Sequence, residues 1–108
     1  MGERVMAEVV AIHDRSYGGI KRYEYRLVMP YHNEAVARAV VDEVFARHRK
    51  ERSMKAHAVA VLVYRYVSEM DGPYTVACAE LAPDGDWTRA GEVKAGRYRK
   101  MRVAFDYK

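Results

Sequence analysis

The stretch from Ala58 to Tyr66, reading Ala-Val-Ala-Val-Leu-Val-Tyr-Arg-Tyr, constrains this chain more than any other because it is almost unbroken in apolar and β-branched residues. A strand with one wet face alternates apolar with polar side chains. One that does not alternate is apolar on both faces and belongs in the middle of a sheet. The fold must therefore place this segment centrally and supply a covering layer on each side of it.

The flanking segments read as partners for that strand. Val5 to Ile12 carries the β-branched Val5, Val9 and Ile12, and stops at the polar, glycine-rich run from His13 to Gly19. From Ile20 to Met29, Tyr23, Tyr25, Leu27 and Met29 alternate with Arg22, Glu24 and Arg26, the period of a strand with one polar face. The two are expected to form a hairpin, with Gly18 and Gly19 supplying any positive φ in its turn. Pro30 ends the second strand, and Asn33 is placed to cap a helix from about Glu34 to Arg52. In that helix Ala37, Val40, Val41, Val44, Phe45 and His48 share one stripe, while Glu34, Arg38 and Asp42 have the spacing for outer-face ion pairs. Met70 to Pro73 reads as a turn, and Tyr74 to Ala82 as a returning strand that ends at Pro83-Asp84-Gly85-Asp86. Between Tyr98 and Tyr107 the alternation of Met101, Val103, Phe105 and Tyr107 with Arg102, Ala104 and Asp106 predicts a fifth strand.

The expected fold class is thus α+β, in the order β-β-α-β-β with a C-terminal fifth strand: a mainly antiparallel sheet with one helix on one face. The 108 residues suit a single domain spanning 1–108. One helix covers one face only. The second face is expected to be covered by the C-terminal segment or by a second subunit docking sheet to sheet, hence a homodimer.

Composition excludes several classes of function. The only cysteine, Cys78, allows no internal disulfide and no cysteine-based metal centre, and among small apolar neighbours it reads as a packed thiol and not a nucleophile. A reducing cytoplasm fits this usage. The N-terminal residues carry charges where a signal peptide needs an apolar core, and nothing approaches the run of about 20 apolar residues of a membrane span, so no membrane association is expected. There is no glycine-rich phosphate loop, no Gly-x-Ser-x-Gly and no metal-binding histidine pair. No metal or other cofactor is implied.

Two basic clusters remain: Arg47, Arg49, Lys50, Arg52 and Lys55 at the helix end, and Lys94, Arg97, Arg99, Lys100 and Arg102 near the C-terminus. With a net charge of +4 and a pI near 9.3, they are candidates for binding nucleic-acid phosphates, with tyrosines such as Tyr98 to stack on unpaired bases. The plainer account is that cations complement the helix dipole and protect an edge strand. His13, His32, His48 and His57 are dispersed; His13-Asp14 with His32 has acid–base chemistry, but solvated loop histidines explain them as well. The nine tyrosines suit strand margins, and Trp87 is expected to fold back onto the core beside its turn.

The hairpin segment Ser16-Tyr17-Gly18-Gly19-Ile20-Lys21-Arg22 and the turn Pro83-Asp84-Gly85-Asp86-Trp87 together resemble a small prokaryotic α+β domain family of unknown function. The resemblance covers roughly the first ninety residues and implies a small mixed fold with no established reaction and no catalytic residue to carry over. The expectation for function is a non-catalytic binding or adaptor module, engaging a protein partner or itself through its sheet. The alternative is a nucleic-acid-binding accessory protein using the two basic clusters. A third is a small enzyme with a site at a dimer interface, built from His13, His32 and tyrosines.

Overall fold

The computed structural model describes residues 8–30 and 33–108. Val5 to Ala7 of the expected first strand, and His32, lie outside the described residues. Five strands form one sheet in the order of the chain: β1 (Glu8–Asp14), β2 (Arg22–Val28), β3 (Ala58–Tyr64), β4 (Ala77–Ala82) and β5 (Arg102–Tyr107). The helix α1 (Glu34–Lys50) crosses from β2 to β3. That crossover makes β2 and β3 parallel, while the other three pairings are antiparallel. The α+β class, the element order and the central position of β3 agree with the sequence pattern. The expected ends are too generous: the helix stops at Lys50, and β4 and β5 begin at Ala77 and Arg102.

α1 starts where its chemistry allows. The Asn33 side chain accepts a hydrogen bond from the Val36 amide at 2.9 Å, satisfying one of the amides that a first turn leaves unpaired. All six apolar-stripe residues, from Ala37 to His48, are buried. They pack against the sheet face formed by Tyr25, Leu27, Val59, Val61, Val63, Ala77, Ala79 and Leu81, with Val103, Phe105 and Tyr107 at its margin. Each fully buried valine or leucine here contributes about 1.5–3 kcal/mol. On the solvent side Arg38 pairs with Asp42 at 3.2 Å.

The second face of the sheet is covered at its two ends, but not as expected. The C-terminal segment joins the sheet as edge strand β5 instead of lying across it. The cover comes from connections within the chain. At the end where β3 begins, the 3₁₀ segment Trp87–Glu92 lays Ala90 and Trp87 against Ala58 and Ala82, with Ile20 beside them. At the other end the loop after β3 folds back: the Tyr64 hydroxyl donates to the Gly72 carbonyl at 2.9 Å, and Arg26 donates to the carbonyl of Met70. Between these, Glu24, Arg26 and Cys78 are half-buried around Ala60 and Leu62. On the α1 side Val59, Val61 and Val63 are fully buried, while on the second face Ala58, Ala60 and Tyr64 are buried and Leu62 stays partly exposed.

β1 forms one edge. The ladder with β2 skips a residue between Val9 and Ala11, so Val10 bulges and Val9 and Ile12, three apart, come to lie on the face of Leu27 and Tyr25.

Candidate nucleic-acid interface

The two basic clusters, about forty residues apart in the chain, meet at the end of the molecule where α1 stops. The Gly96 amide donates to the Ala56 carbonyl at 2.8 Å, and the Tyr98 hydroxyl accepts from the Ala56 amide at 3.1 Å. At Gly96 the chain passes so close that a Cβ there would lie 3.3 Å from the Lys55 side chain; with φ at +82° the position suits glycine on both counts. The turn bearing Lys94 and Arg97 is therefore laid directly on the segment bearing Lys55; burial raises the pKa of Tyr98, and Arg49 is near enough to offset part of that rise.

His48 anchors this junction from below. It is the last residue of the apolar stripe and only 1% exposed. Its ring lies 5.7, 5.6 and 6.0 Å from those of Tyr23, Tyr25 and Tyr98, and its Nδ1 shares a 2.6 Å hydrogen bond with the Tyr25 hydroxyl. Burial holds the imidazole below its ordinary pKa. The Met54 backbone oxygen and Glu51 pull the other way, the former from outside hydrogen-bonding geometry, so Nε2 stays buried and unpartnered. Tyr98, read from sequence as a ring free to stack on bases, is instead half-buried and used to hold the two segments together.

Arg47, Arg49, Lys50, Arg52, Lys55, Lys94, Arg97, Arg99, Lys100 and Arg102 are all exposed. Among the described residues only Arg47 of this set has a carboxylate partner, Glu43 at 2.7 Å. Acidic residues that flank these clusters in the chain are engaged elsewhere. Glu51 is turned onto the backbone and hydroxyl of Ser53, which holds its carboxyl below the usual range; Asp84 and Glu92 pair with Arg89. Arg102 departs from the group: it begins β5 opposite Ala82, and by alternation with Val103 it faces the side of the sheet away from α1. The remaining cations, Arg47 apart, have no carboxylate partner among the described residues.

The other candidates are not assembled into a site. His57 Nδ1 accepts the Lys21 amide at 2.8 Å, tying β2 to β3. The Asp14 carboxylate accepts the Ser16 amide at 2.9 Å within its own turn, and His32, the third member of the acid–base set, lies outside the described residues. The Cys78 thiol is half-buried, and burial, then Glu80 and Asp106, push it up to about 12, so it stays protonated at neutral pH. No group of three or more metal-ligating side chains occurs among the described residues. None of the described helices is long and apolar enough to cross a membrane.

One arrangement escaped the sequence reading. The Arg22 guanidinium lies 4.5 Å from the Tyr17 ring centre and 4.7 Å from that of Trp87. Residues 17 and 87 come from the two turn motifs singled out in the sequence, but only the fold brings them to the same arginine. A tyrosine beside two glycines at a hairpin tip was the available signal.

Compared with protein-family models, with curated proteins and with solved structures, the chain finds no match.

Proposed function

We propose that this protein is a non-catalytic nucleic-acid-binding module that holds a phosphate backbone against its positive end. The supporting observation is the convergence of two basic segments into one exposed surface whose cations, Arg47 apart, lack carboxylate partners among the described residues. Collecting like charges without internal partners costs self-repulsion, which an anionic ligand relieves. Lysine and arginine contacts to phosphates release condensed counterions, so affinity falls steeply with salt.

The test is fluorescence anisotropy of a labelled oligonucleotide across a salt series, with Lys55→Glu, Arg97→Glu and Arg99→Glu combined. Binding should weaken, and the slope of log affinity against log salt should shrink by roughly 2–3. Unchanged affinity and slope would remove the basic end from the binding surface.

A second reading is favoured by β1. Val9, Val10 and Ile12 are 46%, 43% and 49% exposed on an edge strand, a surface suited to pairing with another copy of the chain. It concerns a different part of the molecule and is compatible with the first.

A further inference from the structure

Resting on the reading of the positive end as a phosphate site, we propose that the ligand is single-stranded and that one of its bases stacks on the Tyr17 ring. Tyr17 is 52% exposed although one side of its ring is occupied by the Arg22 guanidinium at 4.5 Å. Arg22 is backed in turn by Trp87, and Trp87 rests with Ile20 on Ala58, Ala82 and Ala90. The result is a short stack, founded on the sheet and ending in an open aromatic face.

That face is held still before any ligand arrives. Tyr17 and Ile20 exchange both backbone hydrogen bonds, at 3.0 and 2.7 Å, across Gly18 and Gly19, whose φ values of 51° and 82° are those of a tight two-residue hairpin loop. Behind the loop the Arg15 amide donates to the Arg22 carbonyl at 2.8 Å, the Arg22 amide to Ser16 Oγ at 3.1 Å, and the Ser16 amide to Asp14. A base stacking there orders no loop, so the ordering cost that usually offsets such a contact is small.

The turn is also tied to the positive end, though its stack lies on the side of the sheet away from α1, the side that Arg102 faces. Lys21 and His57 exchange hydrogen bonds at 2.8 and 2.7 Å, and His57 stands two residues from Lys55, on which the Gly96 turn is laid. In this proposal a strand that holds its phosphates on the Lys55–Arg97 surface runs on past His57 and Lys21 to bring one of its bases to Tyr17. In a duplex the bases are stacked on each other inside the helix, and only an unpaired base offers its face to a protein ring.

The test uses labelled strands of about 12 nucleotides: oligothymidylate, oligouridylate, an abasic DNA strand with the same number of phosphates, and a duplex. Each is titrated with the native protein, Tyr17→Ala and Tyr17→Trp at two salt concentrations. The native protein and Tyr17→Trp should bind at least one base-bearing single strand about tenfold more tightly than the abasic strand. Whether thymidylate or uridylate is favoured separates DNA from RNA as the source of the base. Tyr17→Ala should bind base-bearing and abasic strands alike, with its salt dependence intact. If the native protein makes no distinction, if Tyr17→Ala keeps it, or if the duplex binds as tightly as the single strands, the stacking proposal fails. Salt-dependent binding indifferent to Tyr17 would leave the phosphate reading standing, whereas no salt-dependent binding of any strand would remove both.

Discussion

His48 shows how much a single residue can carry. Its position on the apolar stripe of α1 placed it in the core from sequence, but not its company of three tyrosines or its unpartnered Nε2. A buried polar atom without a partner costs about 1–3 kcal/mol, and protonating the ring would add a buried charge whose desolvation outweighs the pull of Glu51. Because its folded pKa is depressed below the ordinary 6.5, the unfolded chain binds the proton more readily. The stability attached to His48 is therefore fully present above about pH 6.5 and is lost as pH falls from there toward the folded pKa. Melting temperature should decline over that window in the native protein and level off in His48→Phe, which keeps a ring among the tyrosines but cannot titrate. An undiminished decline in the variant would assign the effect to another group. The carboxylates held low by hydrogen bonds, such as Asp14, Glu51 and Asp86, act only in more acid solution.

At the scale of the element, α1 was the most legible part of the chain. Its cap, its stripe and its outer ion pair are all local: each depends on residues three or four apart, and a helix repeats at that distance whatever surrounds it. Replacing Asn33 by alanine leaves the Val36 amide without its partner and should cost about 1 kcal/mol, read as a lower denaturation midpoint with an unchanged slope. A midpoint that does not move would show that water satisfies the amide equally well. The C-terminal segments were harder to read. The chain from Pro83 to Glu92 docks through Gly85, where φ is +71° and a Cβ would come within 2.9 Å of the Ala104 side chain. The turn residues announce a change of direction but not the surface on which it lands. The same limit hid the stack of Tyr17, Arg22 and Trp87, whose members come from two turns far apart in the chain.

For the whole molecule, the distribution of cover over the sheet decides what is left for partners. α1 covers the centre of one face, two connections cover the ends of the other, and β1 receives little from either, so Val9, Val10 and Ile12 remain exposed. The bulge at Val10 twists this edge and leaves Ala11 to Asp14 as its regular stretch. If copies pair through β1, light scattering should show a dimer that persists in high salt and gives way to monomer in Ile12→Lys, while oligonucleotide affinity per chain stays the same. A native protein that remains monomeric at high micromolar concentration would end that reading. The sequence by itself determined the α+β class, the element order, the central place of β3, the helix with its cap and core face, and the identity of the basic residues. Those follow from periodicity and local hydrogen bonding, which neighbouring residues set among themselves. Only the tertiary structure decided that the two basic clusters share one surface, that Tyr98 and His48 serve as the fastening between them, that the second sheet face is covered at its ends by the chain's own connections, and that Tyr17 stands open on a fixed turn. Each of these depends on how distant segments pack, and the free energy that selects one packing is summed over the whole core instead of being written at any single position.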